Sequence, residues 1–162
     1  MVHLITGNTG AGKTTYAYQL KKSTNGVVFS IDQWNSTLFL MDKKPEDGLE
    51  WFLERIERAE KMIMNLVKQL EKTSTDSILD LGFSKLAHRD KFRNFAQSNG
   101  FEITIHFLDI PRDIRLKRVL ERNEEQGDTF EFEVKKEDFD FMEDWFEKPT
   151  VEELAGGITI QE

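Results

Sequence analysis

There is no cysteine anywhere in the 162 residues. That excludes disulfides, zinc sites built on thiolates and thiol nucleophiles, and it fits a cytoplasmic setting. Histidine is nearly as scarce, with only His3, His88 and His106, far apart and without an HExxH string. A dedicated transition-metal site is therefore not expected. No apolar run approaches the 18 residues of a membrane-spanning helix, so no membrane partner is expected. The N-terminal MVHLITG carries no basic stretch, so no signal peptide is expected there. Basic charge is also short: Lys and Arg number 22 against 30 Asp and Glu, a net charge of −8. On charge grounds a nucleic-acid partner is not expected, and there is room only for a local basic pocket.

What is present reads as a globular protein, with 38% hydrophobic and 32% charged residues. The length fits a single domain spanning residues 1–162 with its own core. Segments of period two alternate with segments of helical period. VHLIT (2–6), VVFSI (27–31), DSILDLG (76–82), FEITIHFLD (101–109) and a short Ile158-Thr159-Ile160 read as strands. Helices are expected over 13–22, from about Pro45 to Lys72, from about Ser84 to Ser98, from Pro111 to about Glu125, and around Phe139, Met142 and Phe146. In the long second helix Leu49, Phe52, Ile56, Ile63, Leu66 and Leu70 form the apolar face, with Glu54/Arg58 and Glu57/Lys61 opposite. Pro111 suits a first helical turn. Strands alternating with helices predict an α/β fold, a parallel sheet with helices on both faces.

The chemistry is concentrated in GNTGAGKTT, residues 7–15. Gly7-x4-Gly12-Lys13-Thr14 matches the phosphate loop G-x-x-x-x-G-K-[ST], here with a strand before it and a helix after. Its glycines permit positive φ, which turns successive N–H groups inward around an anion. The helix that follows adds its positive end. Gly7, Asn8, Thr9, Gly10, Ala11, Gly12, Lys13, Thr14 and Thr15 are the candidate nucleotide-binding residues. Lys13 would reach the β- and γ-phosphates of ATP, and the Thr14 hydroxyl would ligate Mg²⁺. Position 15 is Thr, so the dinucleotide fingerprint G-x-G-x-x-G is not completed.

Three fates are open to a γ-phosphate in such a loop. A GTPase would carry Asn-Lys-x-Asp, which is absent. A motor-type ATPase would follow Asp80 with Glu to activate water; Leu81-Gly82 follows instead. A kinase needs a carboxylate beside the γ-phosphate and cations over it. Asp32, at the carboxyl end of the second strand, is the candidate base; in a sheet ordered 2-3-1-4-5 that end faces the phosphate loop. Asp80, ending the third strand on the same edge, is a candidate Mg²⁺ carboxylate.

Arg115, Arg118 and Arg122 step by three and four along one helix, with Leu116, Val119 and Leu120 assigned to the core. The stripe leads into EEQGDTFEFEV, read as a lid at about 124–134, and Arg118 and Arg122 are its candidate catalytic cations. KLAHRDKFR (85–93) is the other basic cluster: Lys85, His88 and Arg89 either receive an anionic acceptor or form a solvated helix face. His3 and His106 read as packed histidines. Trp34 and Phe39 either wall an acceptor pocket or join the core.

GNTGAGKTT, FSIDQW, ILDLGFSKLAHRDKFR, HFLDIPRDIRLKRVLERN and FDFMEDWFEKPT together resemble a group of small P-loop kinases. The group includes zeta-toxin-type kinases, chloramphenicol phosphotransferase and the kinase module of polynucleotide kinases. Its members are often labelled AAA family ATPases, and the likeness covers nearly the whole chain. It implies a P-loop NTPase fold of nucleoside/nucleotide-kinase type and transfer of ATP's γ-phosphoryl to a hydroxyl, here of a small molecule. By position it makes Asp32 the general base, puts Arg118 and Arg122 in the lid-arginine region, and sets Phe146 to Val151 near adenine. Polynucleotide kinases usually carry an Arg shortly after the base, whereas Gln33-Trp34-Asn35-Ser36 follow Asp32. The alternatives are a nucleotide-binding regulator or slow ATPase, and a 5′-hydroxyl polynucleotide kinase. No motif decides between monomer and dimer.

Overall fold

A computed structural model describes residues 1–127, 130 and 133–161. Its five strands are β1 (Val2–Gly7), β2 (Gly26–Ser30), β3 (Asp76–Asp80), β4 (Ile103–Leu108) and β5 (Ile158–Ile160). They form one sheet in the order β2-β3-β1-β4-β5, and every pairing is parallel. The helices are α1 (Lys13–Ser23), α2 (Ile31–Leu38), α3 (Leu49–Glu71), α4 (Leu86–Ser98), α5 (Arg112–Glu125) and α6 (Lys136–Trp145). The sheet order and the α/β class are those expected, and the parallel arrangement follows from helical crossovers that cover both faces.

Side-chain alternation in β1 divides the core in two. Val2 and Leu4 face α3 and α4, packing with Ala59, Ile63, Val67 and Phe92. Ile5 lies on the opposite face with Ala17 of α1 and Leu108 and Ile110 from the end of β4. Buried residues of α3 recur at helical spacing, so a 23-residue helix holds to the sheet along one stripe. Glu54 pairs with Arg58 and Glu57 with Lys61 on its exposed side, as expected. Among the described residues no helix is long and apolar enough to cross a membrane.

Helix α2 was not foreseen. Ser30 caps it by accepting from the backbone of Gln33, and Ser-x-x-Gln is the sequence form of a capping box. Asp32 consequently sits in the first turn of α2 rather than at the tip of β2. Leu120, assigned to the core, is 51% exposed, and Arg115 is buried in its stead. That difference has its origin at the phosphate loop.

On the α1 side of the sheet the two packed histidines form a chain. The His3 Nε2 lies 3.4 Å from Asp76, His3 Nδ1 2.9 Å from His106 Nε2, and His106 Nδ1 2.8 Å from the Tyr16 hydroxyl. A carboxylate only accepts, so the proton order is set from Asp76. His3 Nε2–H donates to Asp76, His106 Nε2–H donates to His3, and Tyr16 O–H donates to His106. Protonating both rings would set two N–H groups against each other, and burial alone disfavours the first charge: it holds both histidines below their usual range, with His106 at about 4. The unfolded chain therefore takes up these protons first. Stability is fully present above about pH 6.5 and is lost as pH falls toward 4. One pKa unit corresponds to about 1.4 kcal/mol, so protonation of His106 costs on the order of 3 kcal/mol. Thermal melts from pH 7.5 to 4.5 check this: the parent should lose more stability than His106→Gln, and parallel curves would contradict the account.

Candidate functional site

The turn between β1 and α1 is shaped by what lies behind it. Gly10 has φ +79°, and a Cβ there would stand 2.4 Å from the Arg115 carbonyl oxygen and 2.9 Å from Val119 Cγ2. Helix α5 is thus seated against the loop with no space for a side chain. Gly12, φ +89°, is the N-cap of α1 and its front is open, with only Arg118 Nη1 within 4 Å of a Cβ position. No side chain among the described residues caps α1. Its first N–H groups and its positive end face the cleft.

A buried clasp holds the loop from the side. Arg115 gives a bidentate pair to Glu143 of α6 at 2.6 and 2.9 Å, and donates to the Thr9 carbonyl at 3.1 Å and the Ile110 carbonyl at 2.9 Å. Glu143 also accepts from Asn8 Nδ2 at 2.7 Å, while Asn8 Oδ1 accepts from the Thr9 N–H at 2.7 Å. Two helices distant in sequence therefore fix the backbone of Asn8 and Thr9 before any ligand arrives.

A cleft of about 880 Å³ opens over the loop. Thr9 to Thr15, Asp32, Asp80, Arg118 and Arg122 all line it. Gly7 and Asn8 form the rear of the loop; Asn8 lines a separate cavity of about 230 Å³. Lys13 Nζ donates to the Asn8 carbonyl at 3.3 Å. Burial lowers its pKa against the pull of Asp80 and Asp32, so its charge lacks full compensation within the protein. Asp80, 6% exposed, accepts from Thr14 Oγ1 at 2.7 Å, and burial raises its pKa against the opposing effects of Lys13 and that hydrogen bond. A hydroxyl and a carboxylate in contact, the latter poorly solvated, fit the protein side of a Mg²⁺ site completed by phosphate oxygens. No group of three metal-ligating side chains occurs among the described residues, and Mg²⁺ held with a nucleotide requires none.

Arg122 faces the same cleft with Nε and Nη2 buried and without a hydrogen-bond acceptor among the described residues. Burial lowers its pKa, with Asp32 opposing. Arg118 donates to the Ala11 carbonyl at 3.3 Å. The arrangement brings an anion cradle, guanidinium groups and an exposed carboxylate to one surface.

A family model for AAA domains, AAA_33, matches residues 2–149. The chain belongs to this family. No curated protein matches it in sequence. Among solved structures, Chaetomium thermophilum Kti12 in complex with ADP-AlF3 is similar with a TM-score of 0.71 at 14% identity, over 99% of this chain and 89% of that one. A sugar kinase from Janibacter sp. HTCC2649 is similar with a TM-score of 0.66 at 17% identity, over 99% and 84%. A chain of the Pnkp1/Rnl/Hen1 RNA repair complex reaches 0.65 at 24% identity, covering 89% of this chain and 43% of that one. These likenesses show the P-loop kinase fold. With an RNA repair complex among them, the net charge of −8 does not exclude a nucleic-acid partner.

Within the AAA domain the other expected residues divide clearly. Arg115 leaves the arginine stripe and becomes the loop's clasp, because Thr9 and Glu143 draw it inward. In the basic cluster after β3, Lys85 meets Glu147 at 3.1 Å near the surface. Arg89 is fully buried in a bidentate pair with Glu153, at 2.6 and 3.1 Å, and also donates to the Phe83 and Glu147 carbonyls. His88 and Lys91 both meet Glu60, at 2.5 and 2.6 Å. Trp34 and Phe39 pack against the core and do not line the cleft. Phe146 stacks on Phe107 and Lys148 pairs with Asp109, both lining the smaller cavity. Of the lid segment, 128–129 and 131–132 lie outside the described residues. Where it returns, Val134 is buried and its backbone is held by both ends of the Asn123 amide. Glu143 was missed; its only sequence signal was a carboxylate beside the apolar stripe of α6.

Two substitutions separate the loop's fixed frame from its charge. Lys13→Met should lower ATP affinity by at least about 100-fold while melting no lower than the parent, because a poorly compensated buried charge is removed. Glu143→Ala leaves Arg115 buried and unpaired, and should cost about 3 kcal/mol. Calorimetry and thermal melts read both; a destabilised Lys13→Met with intact ATP affinity would reverse the assignment.

Proposed function

We propose that the protein transfers the γ-phosphoryl group of ATP to a hydroxyl of a small molecule, within one catalytic domain. One observation carries the reading: Asp32 is exposed on the same cleft as Lys13 and Arg122, close enough that its charge acts on both. A nucleotide-sensing switch has no need of a carboxylate there, whereas a kinase has a proton to remove.

In this reading residues 7–15 cradle the polyphosphate. Lys13 neutralises the β- and γ-phosphates, and Thr14 and Asp80 hold Mg²⁺, which supplies further neutralisation of phosphate charge. The acceptor oxygen forms a bond to the γ-phosphorus as the bond from that phosphorus to the β–γ bridging oxygen breaks. ADP leaves, and the hydroxyl proton passes to Asp32. The transition state is loose, so the proton leaves late and an exposed carboxylate is basic enough. Arg118 and Arg122 meet the charge spread over the transferring group. The unsatisfied N–H groups of Arg122 are donors waiting for oxygen acceptors, which suits contacts made only during transfer.

The test uses single-turnover transfer with γ-labelled ATP and a panel of hydroxyl metabolites, sugars and 5′-hydroxyl oligonucleotides. Asp32→Asn keeps shape and removes the proton acceptor, so transfer should fall about 100-fold or more with ATP–Mg²⁺ affinity unchanged. Arg122→Ala should lower kcat by about 1,000-fold with a much smaller effect on ATP affinity. Transfer at the parent rate in Asp32→Asn would remove it as the base.

A further inference from the structure

Helix α6 presents a second, exposed stripe that the phosphate chemistry does not use. Asp138 and Phe141, one turn apart, both line the cleft. Phe141 is 59% exposed there, a position that no packing requirement of the fold explains. Its ring stacks on Trp145, with centroids 5.6 Å apart and planes 24° from parallel. Trp145 in turn carries the Lys85 ammonium 4.1 Å from its ring centre. One face of Phe141 is therefore taken by Trp145, and the other is the exposed one.

This stripe borders the turn after β3. Lys85 follows Ser84, and the Glu147 N–H donates to the Ser84 carbonyl at 2.8 Å. The aromatic pair is thereby tied to the turn after β3, the side bearing Asp80 and Asp32. Tyr16, Gln19, Leu108 and Ile160 line the part of the cleft beside α1 and the ends of β4 and β5. Among the described residues the cations that line the cleft are Lys13, Arg118 and Arg122, the three assigned above to phosphate. The basic residues that follow β3, of which Lys85 meets Trp145, are already matched: Lys85 by Glu147 at 3.1 Å, Arg89 by Glu153, and His88 and Lys91 by Glu60. Apart from the phosphate loop, Arg118 and Arg122, the charged side chains that line the cleft among the described residues are carboxylates, Glu121, Glu125 and Asp138 beside Asp32 and Asp80, and Phe141 offers an exposed aromatic face with them.

We infer that the acceptor is a cationic alcohol, its ammonium seated between the Phe141 ring and the Asp138 carboxylate while its hydroxyl points toward Asp32. An aromatic face attracts a cation through its quadrupole, and quaternary ammonium groups are recognised in this way. A carboxylate one turn away adds charge complementarity and repels phosphorylated acceptors. This inference rests on the kinase reading for the identity of the hydroxyl's partner, and the subsite can be measured without turnover.

Choline and its uncharged isostere 3,3-dimethylbutan-1-ol, with glycerol 3-phosphate as the anionic probe, are titrated by ligand-observed NMR. The whole protein is used, with a non-hydrolysable ATP analogue and Mg²⁺ present. Choline should bind about 10-fold tighter than the isostere. Phe141→Leu and Asp138→Asn should each erase most of that preference without changing nucleotide affinity. Equal binding of the pair, preference for the anion, or a loss of nucleotide affinity in Phe141→Leu would overturn the inference. Transfer assays with glucosamine, glucose and glucose 6-phosphate distinguish its failure from that of the kinase reading. Asp32-dependent transfer only to glucose or its phosphate ends the cationic subsite and keeps the kinase. A preserved choline preference with no transfer to any acceptor ends the kinase and keeps the subsite.

Discussion

Gly10 is where the fold and the site become one problem. Helix α5 approaches the phosphate loop so closely that the Arg115 carbonyl occupies the space a side chain would take. The same residue's guanidinium turns back to hold Thr9 and to meet Glu143. The loop is thus braced by backbone contact on one side and a buried ion pair on the other. Such bracing fixes the direction of the loop's N–H groups in advance, so little ordering remains to be done when a polyanion enters. Residues supplied by α5 and α6, over 100 positions away in sequence, shape a turn whose glycines otherwise permit many conformations.

Within that frame the charged groups are held under tension. Lys13 and Asp80 are both pushed by burial toward their neutral forms, and Arg122 buries donors that no described residue accepts from. Unsatisfied buried groups are costly in a folded protein, and a ligand carrying phosphate oxygens and a divalent cation would relieve all three. Elsewhere buried charge is matched internally, as in Arg89–Glu153 and the two cations on Glu60. The contrast marks the cleft as a place where compensation comes from outside.

Much of this was legible in the residues. The phosphate loop is a local pattern with a physical reason for each glycine, the strand–helix alternation led to the parallel sheet, and the P-loop kinase reading supplied the order that is observed. Asp32 and Asp80 could be placed because strand ends on one sheet edge share a crevice. Pairings across long sequence separations were not legible. Arg115 and Arg89 had the helical spacing of solvated charges, and only the fold reveals that Glu143 and Glu153 wait for them. A helical pattern states which residues share a face; it does not state what that face meets. Helix α2 was hidden for another reason: its eight residues are too short for a clear period, and only the cap at Ser30 announced it.

The account claims above all that the cleft passes a phosphoryl group to an alcohol rather than to water. The most direct test follows the fate of the γ-phosphoryl in the unaltered protein, with Mg²⁺, a panel of alcohols and ¹⁸O-labelled water. The account predicts an organic phosphate ester free of solvent oxygen, formed faster than inorganic phosphate is released. Recovery of the group only as inorganic phosphate carrying one solvent oxygen, whatever alcohol is supplied, would contradict it.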